Sequence, residues 1–77
     1  MSITVRYFAS LRETLGRSHD VIEAKTALTV EQVWQQANPN QSIPSNILAA
    51  VNMDYVSLTD PVVAGDEVAF FPPVTGG

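Results

Sequence analysis

The chain has 77 residues, 45% of them hydrophobic and only 16% charged, with a formal net charge of −4, which fits one folded domain with a single core and excludes disorder. It contains no cysteine and one histidine, His19, so disulfides, thiolate metal sites, a cysteine nucleophile and His-based triads or metal clusters are all excluded. All four basic residues (Arg6, Arg12, Arg17, Lys25) precede residue 26, and 26–77 carries Glu31, Asp54, Asp60, Asp66 and Glu67 with no cation, the opposite of a phosphate-binding stripe.

In chain order, Ile3, Val5 and Tyr7 alternate with Thr4 and Arg6, predicting a strand over 3–8 with Phe8 on the face away from Tyr7. Ser10 followed by Glu13 has the form of a capping box opening a short helix, and Gly16 is a suitable stop. A turn around Arg17 and Ser18 leads into a second strand over 20–24. Thr29 with Gln32 forms another capping box, at the start of the main helix. Val30, Val33, Trp34 and Ala37 share one stripe of that helix, and Asn38-Pro39 ends it.

Residues 40–46, around Pro44, are expected to be a loop. The nearly all-apolar run 47–52 predicts a strand buried in the middle of a sheet. Asn52, Met53 and Asp54 then allow a tight turn into a strand over 55–58. Asp60-Pro61 and Ala64-Gly65-Asp66 are further turns, and a last strand over 67–71 is stopped by Pro72-Pro73. This order, with the first and last strands paired in parallel, predicts an α+β ubiquitin-like roll, a mixed sheet crossed by one main helix.

Enzymatic constellations are nearly absent. Asp66-Glu67 reads as the exit of a turn, His19 beside Asp20 as a surface residue, and Trp34 as core. The glycines form no phosphate-cradling loop. No run approaches the ~20 apolar residues needed to cross a bilayer, and no basic-then-apolar leader is present, so a cytoplasmic protein without membrane or nucleic-acid partners is expected. The acidic second half suits a basic protein surface, or is simply a solvated face.

The end of the chain, Phe70-Phe71-Pro72-Pro73-Val74-Thr75-Gly76-Gly77, remains. With glycine at about 7% of residues, a Gly-Gly terminus arises by chance in roughly 0.5% of chains. Paired glycines have no Cβ, so their backbone can enter a channel too narrow for side chains. Pro72-Pro73 favour an extended exit, and six residues at about 3.3 Å each reach about 20 Å from the domain. Two readings follow: the carboxylate of Gly77 is the reactive group, activated by a partner as an acyl-adenylate, or the terminus is a frayed end.

Leu48-Ala49-Ala50-Val51-Asn52 and the whole of 65–77, together with Val5-Arg6-Tyr7-Phe8-Ala9 and Leu11-Arg12-Glu13, resemble the MoaD family, the small sulfur-carrier subunits of molybdopterin synthase. The resemblance implies a β-grasp domain over 1–71 and an extended, flexible tail over 72–77. It implies that the chain is not itself catalytic and binds no metal or cofactor. An E1-like adenylyltransferase would use ATP to adenylate Gly77, which then becomes a thiocarboxylate. Pro72, Pro73, Val74, Thr75 and Gly76 would thread into the large catalytic subunit, in a heterotetramer of two large and two small subunits. There sulfur would pass to cyclic pyranopterin monophosphate, two carriers supplying the two dithiolene sulfurs. By position, the family's partner-binding patch falls on Phe8, Tyr55 and Phe71, with Tyr55 standing where an aliphatic residue is usual. Sulfur delivery to another pathway, such as the thiazole of thiamine, and ubiquitin-like conjugation to lysines are the alternatives.

Overall fold

Period-two alternation decides the first strand of the computed structural model, which describes residues 1–73: along β1 (Ser2–Tyr7), Ile3, Val5 and Tyr7 are fully buried. The chain then runs through α1 (Ala9–Leu15), β2 (His19–Glu23), β3 (Leu28–Thr29), α2 (Val30–Ala37), β4 (Leu48–Val51), β5 (Asp54–Val56), β6 (Pro61–Val62) and β7 (Glu67–Phe71). Five strands form one sheet in the order β2-β1-β7-β4-β5. β1 and β7 are parallel, Tyr7 opposite Phe70, while β2 on β1, β4 on β7 and β5 on β4 are antiparallel. A parallel pair needs a long crossover, and here nearly the whole chain supplies it. This is the expected mixed β-grasp sheet with α2 packed on one face.

The core lies between α2 and that face. Val30, Val33 and Trp34 of α2 are buried against Ile3, Val5, Ala49, Val68 and Phe70. Trp34 meets Phe70 edge-on at 5.1 Å between centroids and Tyr7 edge-on at 6.1 Å. Such aromatic pairs add about 0.5–1.5 kcal/mol each to area burial. Its indole N–H donates to the Gln41 carbonyl at 2.9 Å, so the one polar atom of this core ring is satisfied.

The α2 capping box forms as expected: Gln32 N donates to Thr29 Oγ1 and Thr29 N to Gln32 Oε1. The other expected box does not. Phe8, still extended, takes the N-cap place of α1, and Ala9 turns the chain with a left-handed φ of 55°. Ser10 therefore already lies inside the helix, and no side chain caps it. Gly16 ends α1 in the left-handed conformation (φ 73°), its N–H donating to the Arg12 carbonyl.

Two further differences concern short segments. The strand expected over 55–58 is β5, and it leaves the sheet after Val56. The Leu58 and Asp60 carbonyls accept from Glu31 N and Val30 N instead, satisfying the first turn of α2. The two-residue ribbon β3–β6, with Leu28 opposite Val62 and Thr29 opposite Pro61, has no counterpart in the sequence pattern, because two residues are too few to show a period.

Candidate functional site

With α2 on one face, the outward positions of the sheet are left without a layer over them. β7 presents Phe71 there, β4 presents Leu48 directly opposite it, and β5 presents Tyr55. Ala50 and Ala69 face each other beneath. Their small side chains leave room for the Tyr55 ring to lean across β4, and it stands 5.8 Å from the Phe71 ring at an interplanar angle of 59°. Phe8 prolongs β1 by one extended residue, its N–H donating to the Phe70 carbonyl, so it and Phe71 are successive outward positions of neighbouring strands.

These side chains stay in water. Tyr55 is 77% exposed, Phe8 45% and Leu48 40%, and Phe71 is half-buried among them. Four apolar side chains lie together on the uncovered face of the sheet. The expected trio of Phe8, Tyr55 and Phe71 thus shares one face. Leu48 joins them, which the nearly all-apolar run 47–52 does not indicate because it looks buried on both sides. Its place follows only from the register that sets it against Phe71.

Phe71 is the last residue of β7, and half-buried Pro72 and Pro73 follow directly. The expected delivery residues Val74, Thr75, Gly76 and Gly77 lie outside the described residues. The residues set aside as non-catalytic hold structural posts. Asp66 accepts from Val63 N at 2.9 Å and from Asn52 Nδ2 at 3.0 Å, fastening two turns together. Glu67 accepts from Arg6 Nε at 2.7 Å. That contact places a cation from the first third of the chain within the acidic second half.

Next to the core, Tyr7 anchors a polar group. Its hydroxyl donates to Asp20 Oδ2 at 2.9 Å and accepts from Asn38 Nδ2 at 3.0 Å. Arg17 donates to Asp20 and to Asn38 Oδ1, and its guanidinium lies 5.5 Å from the centre of the Tyr7 ring. Burial, the largest influence, pushes the Tyr7 phenol above its ordinary value. The group joins β1, the turn before β2, β2 itself and the end of α2. On the helix side, a shallow cleft of about 650 Å³ between Trp34, Asn38 and the loop over 39–43 has Glu31 as its one charged lining residue. No described helix is long and apolar enough to cross a membrane.

Residues 5–77 match the model of the ThiS family. The molybdopterin synthase sulfur carrier subunit of Escherichia coli (strain K12) is 40% identical, the match covering 97% of this chain and 99% of that one. Among solved structures, SAMP1 from Haloferax volcanii superposes with a TM-score of 0.79 at 27% identity, covering all of both chains. A putative molybdopterin converting factor subunit 1 from Pyrococcus furiosus gives 0.74 at 26%, over 96% of this chain and 99% of that one.

Proposed function

Because this chain belongs to the ThiS family, we propose that it is the sulfur-carrier subunit of a molybdopterin synthase, a non-catalytic sulfur donor acting through a larger partner. The observation that carries this reading is the exposed cluster of Phe8, Leu48, Tyr55 and Phe71, which ends one residue before Pro72-Pro73 and the Gly-Gly terminus. A partner that covers the cluster receives the tail at a fixed point of departure. The domain over 1–71 supplies the grip, and 72–77 supplies the reach.

The chemistry follows from the terminal group. A carboxylate resists nucleophilic attack, so an E1-like partner first joins Gly77 to the AMP moiety of ATP, releasing pyrophosphate. A sulfur nucleophile then displaces AMP and leaves a thiocarboxylate on Gly77. Within the large subunit, Gly76 and Gly77 offer no Cβ to the channel wall, and as the sulfur passes to cyclic pyranopterin monophosphate water takes its place on the Gly77 carbonyl, restoring the carboxylate. Two such deliveries complete the dithiolene in a two-plus-two heterotetramer. The chain needs no cofactor or metal of its own, and each step is suited to the cytoplasm.

Coexpression with the activating enzyme tests this directly. Intact mass should show one terminal oxygen exchanged for sulfur, and one residue added after Gly77 should abolish molybdopterin formation. An unmodified mass, with activity surviving deletion of Gly77, refutes it. The likeness to SAMP1, the small archaeal modifier protein 1 of Haloferax volcanii, favours a second reading, conjugation of Gly77 to lysines of other proteins. Recovery of this chain in isopeptide linkage from cells distinguishes the two.

A further inference from the structure

The five-stranded sheet ends on one side at β2, and among the described residues nothing pairs with the outer edge of that strand. The register with β1 shows which backbone groups remain there. Tyr7 N donates to the Ser18 carbonyl and Ala24 N to the Met1 carbonyl, so residues 18, 20, 22 and 24 spend their backbone groups on β1. The N–H and C=O of His19, Val21 and Glu23 point away from the sheet. The side chains of the same three residues lie on its outer face and are exposed, Val21 by 60%. The edge has no proline, and Glu23 is the only full charge among its outward side chains, so little discourages another strand.

We propose that the β2 edge is a self-association surface, on which a second copy of this chain adds its own β2 antiparallel across a two-fold axis through Val21. The edge is complementary to itself, as a two-fold contact requires. Centring the pair on Val21 sets the two Val21 side chains together and sets His19 against Glu23 on both sides of the axis. These are the positions with free backbone groups, and three such pairs exchange about six hydrogen bonds. Sliding one copy by two residues sets Val21 against Glu23 or His19 and loses both matches. Glu23 also accepts from the Met1 ammonium at 3.1 Å. That exposed pair contributes little, and a carboxylate has acceptor sites for both partners.

The contact is small, so the dimer is a weak one, populated only at high protein concentration. It leaves Tyr55 on β5 at the opposite edge and Phe71 on central β7 uncovered, while Phe8, which prolongs β1, stands on the strand next to β2.

Sedimentation equilibrium and amide exchange on the full chain test the proposal. The mass should rise with concentration, and the amides of His19, Val21 and Glu23 should gain protection while those of Asp20 and Ile22 stay unchanged. Val21→Lys sets like charges across the axis and should abolish the dimer. Glu23→Lys should weaken it about tenfold, two pairs being lost by symmetry. Combining it with His19→Glu exchanges the partners and should restore association. All three positions are exposed, and unchanged thermal unfolding confirms the fold. A monomer at every concentration, a dimer indifferent to Val21→Lys, no recovery in the double variant, or a dimer dissolved by Phe71→Ala instead would each overturn it.

Discussion

Asn38 is buried where it ends α2, and its amide is held between the Arg17 guanidinium and the Tyr7 hydroxyl. Asn38→Ala removes both bonds and leaves the Tyr7 oxygen with one partner fewer, which should cost about 1–3 kcal/mol in urea unfolding. Tyr7 adds a pH dependence of known sign. Its folded pKa is raised while the unfolded value is ordinary, so the neutral phenol favours the fold. That contribution is complete below about pH 10 and is lost as pH rises through the folded value. Urea unfolding of Tyr7→Phe across that range should therefore show a flatter alkaline decline than the parent. At the outer face, Phe71→Ala removes the ring that Tyr55 and Leu48 flank. Calorimetric titration with the large subunit should show a loss of about 2 kcal/mol, roughly thirtyfold, if Phe71 is the anchor. Phe8 could be placed on this face from alternation alone. Leu48 could not, because its exposure depends on what lies over β4.

Two short sequences of the same form meet different fates. Thr29 caps α2 through its own hydroxyl, so Thr29→Ala should cost about 1 kcal/mol by thermal or urea unfolding. Ser10→Ala should change stability by less than about 0.5 kcal/mol, since Ser10 lies exposed inside α1 and caps nothing. The difference originates one residue earlier. The backbone pairing of Phe8 with Phe70 extends β1 to the threshold of the helix, and the turn must be made at Ala9. A left-handed alanine is strained, and Ala9→Gly should raise stability by about 1 kcal/mol. For α2 the local signal suffices, because its cap, apolar stripe and Asn38-Pro39 stop all agree. β3 and β6 exist only because the chain entering α2 passes the chain leaving the 57–60 turn.

At the scale of the molecule, the charge segregation in the sequence is partly undone by folding, since Arg6 reaches Glu67 and Asp66 is engaged in turns. The net charge of −4 persists. Association with a basic partner should therefore slow several-fold as salt shortens the screening length, with dissociation little affected if the apolar rings are the anchor; stopped-flow mixing at two ionic strengths measures both. The sequence by itself determined what is local or periodic: the buried face of β1, the extent of β7, the α2 cap and the Gly16 stop. Only the tertiary structure decided what depends on neighbours distant in the chain. The β4–β7 register brought Leu48 to Phe71, the small Ala50 and Ala69 let Tyr55 lean over, and the order of strands left β2 at an edge. Periodicity tells which side chains share a face; pairing across the sheet decides which residues meet on it and which remain uncovered.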